Sequence, residues 1–130
     1  MDNSIFALTT VDLSFKGYYQ EKQVQNIPLV DGICAAFACT LQVDDNGRET
    51  CEPQRVIYIG KATGTDNLKV RVAQHVNNDH PTWKKHLNPG EHILYSCAEY
   101  SDNKISDVEA ALIYENKPSE NTNCKNSCTG

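Results

Sequence analysis

A strong turn sequence between two apolar segments constrains the fold of this chain more than any other feature. Asp44-Asp45-Asn46-Gly47 follows residues 32–43, which are rich in alanine, β-branched and aromatic residues. Such turns join antiparallel strands. We expect the partner strand at residues 55–59, after a connection that continues to about Pro53. The core of the fold is therefore predicted to start from an antiparallel pair of strands.

A helix is predicted directly after this pair. Asp66 or Asn67 is suited to cap its first turn, and it should continue to about Asn78. Its apolar residues recur every four positions and form a stripe that would face the core. The residues of this stripe are Leu68, Val72 and Val76.

Three more elements complete the predicted fold. Residues 81–87 form a short helix, and residues 92–100 alternate as a third strand. A last helix is capped by Ser106 or Asp107 and continues to about Asn116, where Lys117-Pro118 ends it. The order predicts a small α/β sandwich with a mostly antiparallel three-stranded sheet flanked by helices.

The length of 130 residues is enough for one domain with a modest core. We assign residues 32–121 to this domain and residues 122–130 to a polar C-terminal tail. Residues 1–31 are interpreted as an N-terminal extension packed on the domain, in which weak alternation between Ser4 and Phe15 is compatible with a strand. We expect a cytoplasmic protein without membrane contact, because there is no secretory signal and no apolar run of ~20 residues.

The charge is unevenly distributed along the chain. The net charge of −5 argues against a protein that coats nucleic acid non-specifically. Residues 61–86, however, carry a basic set that could guide a phosphate into a cleft, although an ordinary solvated helix face explains it equally well. This set consists of Lys61, Lys69, Arg71, Lys84 and Lys85.

Five of the six cysteines are interpreted in two groups. Cys34, Cys39 and Cys97 lie in apolar segments, where buried thiols are the simplest interpretation. Cys124 and Cys128 lie in the polar tail and could pair or bind a metal. The chain lacks the C-x-x-C pairs of a zinc module, so reduced thiols are the default.

Several residues could together cleave a phosphodiester bond, which requires an activated oxygen nucleophile and stabilisation of the phosphate and leaving group. Arg71 and His75 are one helical turn apart and share a face. Tyr58 alternates with Ile57 and Ile59, so its side chain is expected on the opposite face of the sheet from theirs. Taken singly, each candidate has a structural alternative, such as packing for Tyr58 or a solvated helix surface for Arg71.

The order of these residues over positions 32–121 resembles the GIY-YIG nuclease family. Gly32-Ile33-Cys34 is similar to its first motif and Tyr58-Ile59-Gly60-Lys61 to its second. Further matches are to the helix arginine, the histidine one turn later, the metal-binding glutamate, the lysine-proline pair and the terminal asparagine. These matching residues are Arg71, His75, Glu109, Lys117, Pro118 and Asn121.

The resemblance implies an endonuclease that hydrolyses DNA with one magnesium or manganese ion. Glu109 would bind the metal and Arg71 the scissile phosphate. From the basic set described above, Lys69, Lys84 and Lys85 are further candidate substrate contacts. Tyr58 and Lys61 would position or deprotonate water, and His75 would assist proton transfer. Asn121 would orient the phosphate or brace the site. The partner is expected to be DNA, with a targeting protein or a homodimer as further possibilities.

Cys34 departs from the family pattern, in which a tyrosine stands at this position. A thiol cannot reach as far as a phenol, so one alternative is a catalytically impaired module that binds nucleic acid or a partner without cutting. A further alternative is a thiol enzyme with Cys34 as nucleophile and His75 as base. It requires a lowered thiol pKa and a hydrogen bond between the two residues.

Overall fold

The computed structural model describes residues 15–78, 81–101 and 103–121. The predictions for residues 4–14, Cys124 and Cys128 lie outside this part of the chain. The elements, in chain order, are β1 (Lys16–Tyr19), a 3-10 helix (Glu21–Asn26), β2 (Gly32–Val43), β3 (Glu49–Ala62), α1 (Leu68–Asn78), α2 (Pro81–Lys84), β4 (Glu91–Glu99) and α3 (Ile105–Asn116).

The sheet has the order β1-β4-β2-β3, and every neighbouring pair is antiparallel. The three predicted strands form β4-β2-β3 with β2 in the centre, so the predicted α/β fold is confirmed. The structure adds β1 as a short strand from the N-terminal segment, pairing Lys16 with Cys97 and Tyr19 with Tyr95. This strand covers one edge of β4.

The connection between β2 and β3 is shorter than predicted. The Oδ1 atom of Asp44 accepts hydrogen bonds from the backbone N–H groups of Asn46 and Arg48, both at 2.9 Å. Gly47 has a φ of 78°, a conformation that glycine adopts without strain. These contacts close a tight turn, so β3 starts at Glu49 and the predicted connection to Pro53 is wrong. Pro53 is tolerated because β3 is an edge strand whose register shifts nearby.

The two faces of β2 contribute to different cores. Ile33, Ala35 and Phe37 lie in a core that includes most of the buried residues of α3. Cys34 and Ala36 lie on the other face, in a core that includes residues of α1 and α2. Such alternation follows from the two-residue period of a strand. It places Cys34 beneath the helix that carries Arg71 and His75.

The helix ends agree with the prediction only in part. Asn67 caps α1, because its Oδ1 accepts a hydrogen bond from the backbone N–H of Val70 at 3.2 Å. Helix α3 starts at Ile105, so the predicted capping by Ser106 or Asp107 is wrong. Helix α2 ends at Lys84, earlier than expected. In the described part of the chain, no helix is long and apolar enough to cross a membrane.

Candidate active site at the base of the hairpin

A bulge in β3 changes the direction of Ile57, the residue before Tyr58. Ala36 pairs with Tyr58, but the next residue of β2, Phe37, pairs with Val56, so Ile57 is an extra residue. As a result, Ile57 and Tyr58 both pack on the α1 side, whereas Ile59 lies in the α3 core. The prediction that Ile57 lies opposite Tyr58 is wrong, because the bulge interrupts the strict alternation. Tyr58 lies on the opposite face from Ile59, as predicted, and its phenol is directed beneath α1.

Tyr58 lies close enough to the Arg71 side chain for Arg71 to affect its pKa. Burial raises the pKa of Tyr58 above its ordinary value of 10.0, and Cys34 and Glu109 add to this rise. The hydrogen bond and the positive charge of Arg71 oppose it. The phenol therefore carries its proton at neutral pH. Arg71, Glu109 and Cys34 all lie close enough to affect its ionisation.

Glu109 joins α3 to the edge of the sheet. Its Oε2 accepts a hydrogen bond from the backbone N–H of Lys61 at 2.7 Å. The ammonium group of Lys61 donates a hydrogen bond to Oγ of Ser106, one turn earlier on α3, at 2.6 Å. The backbone of Lys61 thus orients the Glu109 carboxylate, and the side chain of Lys61 is directed to the start of α3. Ser106 was not identified as part of the site from the sequence.

Cys34 is a neutral thiol inside this group of residues. Burial raises its pKa from 9.0 to about 12, with Arg71 lowering it and Glu109 raising it further. A catalytic cysteine requires the opposite shift, since the thiolate is the nucleophile. The alternative of a thiol enzyme based on Cys34 is therefore disfavoured.

An aromatic cluster covers the Tyr58 ring. Trp83 of α2 stacks on Tyr58 with ring centroids 5.0 Å apart, and His75 contacts both rings at 5.2 and 5.0 Å. Tyr95 of β4 stacks on His75 at 6.5 Å. Trp83 and His75 are only 5% and 6% exposed. His75 is therefore a packing partner of Tyr58 as well as a site candidate.

The sequence did not identify Trp83 or Tyr95 as part of this group. Trp83 is the only tryptophan of the chain and lies in the predicted short helix. A lone tryptophan in a polar segment is a usable signal, because such a large ring is costly to leave in water. Its partners depend on where the short helix lies in three dimensions.

Gly60 allows the Tyr58 ring to lie flat along β3. A Cβ atom at this position would be 2.7 Å from both Cε2 and Oη of Tyr58. The two residues are two positions apart and share a face of the strand. The glycine in Tyr58-Ile59-Gly60 therefore has a steric reason within this fold.

Asn121 binds the open edge of β3. Its Oδ1 accepts a hydrogen bond from the backbone N–H of Ile59 at 2.8 Å, and its Nδ2 donates to the Ile59 carbonyl at 2.9 Å. The backbone N–H of Glu120 donates to the Ile57 carbonyl at 2.8 Å. Asn121 is 8% exposed. Of the two roles implied by the resemblance, this geometry favours bracing of the site.

The three remaining predicted basic residues occupy different places. Lys69 is half-buried on α1, and Lys85 is exposed after α2. Lys84 lines an open groove of about 440 Å³ together with Glu91 and His92. This groove borders the start of β4, whereas Cys34 pairs with Cys97 near its end. The structure therefore does not bring Lys84 together with the group around Cys34.

The capacity for a metal ion depends on one carboxylate. Among residues 15–78, 81–101 and 103–121, no group of three or more histidine, cysteine, aspartate or glutamate side chains lies together. A carboxylate has about four lone-pair sites, and one of those on Glu109 accepts the Lys61 hydrogen bond. Magnesium often uses only one or two carboxylates and takes its other ligands from water and phosphate. Glu109 fits this type of binding.

We compared the chain with models of protein families, with curated proteins and with solved structures, and none of them matches it.

Proposed function

We propose that the protein is a divalent-metal-dependent endonuclease that hydrolyses DNA phosphodiester bonds. The observation that supports this most strongly is the convergence of Arg71, Tyr58 and Glu109 around Cys34. Each of the three comes from a different element. Burial raises the pKa values of Tyr58 and Cys34, and Arg71 and Glu109 both lie close enough to act on them, Arg71 lowering and Glu109 raising each value. A cation, a hydroxyl donor and a carboxylate in one place are the groups that phosphodiester hydrolysis uses.

Each group has a role in the proposal that matches its chemistry. The planar guanidinium of Arg71 is suited to hold two phosphate oxygens and to stabilise their charge in the transition state. Tyr58 keeps its proton at neutral pH and therefore acts as a hydrogen-bond donor, not as a base. Glu109 would hold one magnesium or manganese ion, which would polarise the phosphate, lower the pKa of the attacking water so that its proton passes to solvent, and neutralise the leaving oxygen.

The remaining residues hold this group in place. Lys61 orients Glu109 through its backbone N–H. Asn121 holds the strand that carries Tyr58 through its two bonds to Ile59. The His75 ring packs against the Tyr58 ring, with the two ring centroids 5.2 Å apart. Catalytic groups lose much of their effect when they are displaced by about 1 Å, so such support has a direct effect on rate.

The proposal is tested by nicking of supercoiled plasmid with magnesium or manganese at low salt. We expect Glu109→Gln and Arg71→Ala to reduce the rate at least about a hundredfold, and EDTA to abolish it. Glu115→Gln on the exposed side of α3 and Arg48→Ala in the hairpin turn are matched controls and should remain active.

Two outcomes would contradict the nuclease proposal. One is equal nicking by wild type and both site variants, which would point to a contaminating activity. The other is a wild-type protein that is inert on duplex, branched and single-stranded DNA with either metal.

A second candidate, a module that binds DNA without cutting it, is favoured by the state of Cys34. This thiol, with a pKa of about 12, offers no proton acceptor at neutral pH. Fluorescence anisotropy with labelled DNA separates the candidates: an inert wild type whose binding is lost in Arg71→Ala supports the binding module.

Either candidate could act with a targeting protein or as a homodimer. We propose a cytoplasmic location, since Cys34, Cys39, Cys51 and Cys97 are thiols, not disulfides.

A further inference from the structure

We propose that Gln74 and Asp66 are positioning residues that hold the Arg71 guanidinium against Tyr58. This inference rests on the proposed function for its effect on activity. The orientation of Arg71 itself is measurable whether or not the protein cuts DNA.

The first link is a hydrogen bond between neighbouring turns of α1. Nη1 of Arg71 donates to Oε1 of Gln74 at 3.1 Å. The two residues are three positions apart, a spacing at which helix side chains meet. Arg71 is half-buried, and its guanidinium lies close enough to Tyr58 to lower the pKa of the phenol. Gln74 thus binds one nitrogen of a guanidinium that lies near the phenol.

The second link connects Gln74 to the loop before α1. Nε2 of Gln74 donates to Oδ1 of Asp66 at 3.1 Å, which leaves its Oε1 directed at Arg71. The loop has its own support, because the backbone N–H of Asp66 donates to the Thr63 carbonyl at 3.1 Å. In addition, the backbone N–H of Gly64 donates to Oδ1 of Asp31 at 3.1 Å. The relay therefore ends on a loop that is bonded to the rest of the fold.

The neutral amide between the two charged groups has a physical advantage. A carboxylate bonded directly to Arg71 would neutralise the charge that a phosphate needs. Gln74 passes the orientation of Asp66 to the guanidinium without placing a negative charge on it. A long arginine side chain loses considerable rotamer freedom when it is ordered, so ordering it before substrate binds lowers the barrier to reaction.

Arginine NMR tests the orientation directly. The chain has three arginines, so a ¹⁵N-arginine sample reports rotation about the Nε–Cζ bond of Arg71 beside two references. Arg55 is paired with Glu91, and Arg48 is exposed in the hairpin turn. Hydrogen-bonded guanidinium groups rotate slowly. We expect slow rotation of Arg71 in wild type and rotation about tenfold faster in Gln74→Leu.

A graded set of variants distinguishes positioning from a general loss of structure. Asp66→Ala should also speed the rotation, whereas Asp66→Asn keeps an oxygen acceptor and should behave like wild type. Asn77→Leu, at an exposed amide on the same helix, is the matched control. If Gln74→Leu does not fold, the pair of Asp66 variants on the loop decides the question.

The nicking assay measures the effect on activity. We expect Gln74→Leu and Asp66→Ala to lower kcat about 10- to 100-fold and Asp66→Asn to restore it, as for other outer supports of catalytic groups. Unchanged Arg71 rotation in both Gln74→Leu and Asp66→Ala would overturn the inference. An inert wild type with the expected NMR result would instead count against the nuclease proposal alone.

Discussion

The two ends of the β2–β3 hairpin are built from the same two strands but meet different surroundings. At the base, the outer edge of β3 is bonded by Glu109, Glu120 and Asn121, and its inner face is covered by an aromatic cluster. At the tip, nearly every side chain from residue 42 to residue 50 is exposed. Val43 is 69% exposed there.

This difference shows how the outer edge of β3 is protected at the base of the hairpin, where the candidate site lies. Unpaired N–H and C=O groups on an edge strand invite pairing with other chains. At the base these groups are occupied by side chains and backbone of the C-terminal part of the domain, which also fixes Tyr58 and Lys61. At the tip, acidic side chains such as Asp44, Asp45, Glu49 and Glu52 are in water and repel like-charged partners. The stability of the domain and its proposed activity are therefore expected to depend on the base of the hairpin more than on its tip.

The largest effect is expected from Trp83→Ala. Removing this buried ring leaves a cavity against Tyr58 and His75 and should lower the free energy of unfolding by about 3–5 kcal/mol. Urea unfolding followed by far-UV circular dichroism measures it. Val43→Ala at the tip is the comparison and should change stability by less than about 0.5 kcal/mol. Equal losses of stability for Trp83→Ala and Val43→Ala would contradict the difference between the base and the tip of the hairpin.

Asn121→Ala is expected to be next in size. It removes the partner of both backbone groups of Ile59 and should cost about 2–4 kcal/mol, because these groups are buried. Gln54→Ala is the matched control, since this exposed amide also bonds to a backbone carbonyl. Urea unfolding of the two variants should differ by at least about 1.5 kcal/mol. A small loss for Asn121→Ala would show that water replaces the amide.

Gly60→Ala is expected to cost about 1–3 kcal/mol through overpacking against the Tyr58 ring. The ring cannot move away without cost, because Trp83 stacks on it. A double-mutant cycle of Gly60→Ala with Tyr58→Ala tests this cause. The cost of the alanine should largely disappear once the ring is absent. An undiminished cost in the Tyr58→Ala background would refute the steric explanation.

Alkaline pH should lower the free energy of unfolding through Cys34, which lies at the base of the hairpin. Its folded pKa is raised from 9.0 to about 12, so between these values the unfolded chain releases a proton that the folded chain keeps. The contribution of Cys34 to the free energy of unfolding is therefore fully present below pH 9 and falls as the pH rises above that value. This group alone should cost about 1–2 kcal/mol between pH 7 and pH 10.

Urea unfolding at both pH values measures this loss. Cys34→Ala should have a smaller loss than wild type by about the same amount. Cys51→Ala is a useful comparison, because this thiol towards the tip is only half-buried. A loss that is identical in wild type and Cys34→Ala would assign the alkaline effect to other groups.

The smallest effect is expected at the tip. Asp45→Asn combined with Glu52→Gln should change the free energy of unfolding by no more than about 0.5 kcal/mol, because both side chains are exposed. Thermal unfolding at low salt measures it. A larger loss would show that the tip supports the fold and would remove the contrast between the two ends.

Local patterns in the sequence were sufficient for the parts of the fold that depend on near neighbours. The span of β2, the position of the turn after it and a cap for α1 at Asp66 or Asn67 follow from residues within a few positions of one another. The candidate site residues Tyr58, Arg71 and Glu109 were also identified from order and resemblance. Strand pairing places Gly60 of β3 opposite Cys34. The positions of Arg71 and Glu109 depend instead on how α1 and α3 lie on the sheet.

Other features depend on contacts between distant parts of the chain. The bulge at Ile57 arises from the pairing of two strands and reverses the expected direction of one side chain. The position of Trp83 on Tyr58 and the contact of Lys61 with Ser106 depend on how helices lie on the sheet. The relay from Asp66 through Gln74 to Arg71 likewise requires a particular loop conformation before α1.

The sequence by itself determined the antiparallel hairpin, the α/β class and the residue types available for chemistry, because turn preference and hydrophobic period act locally. The tertiary structure decided which of these residues share one site and in what state. Burial raises the pKa of Cys34 and Tyr58, and long-range hydrogen bonds orient Glu109 and Asn121. Both effects depend on atoms many residues apart, so no local pattern contains them.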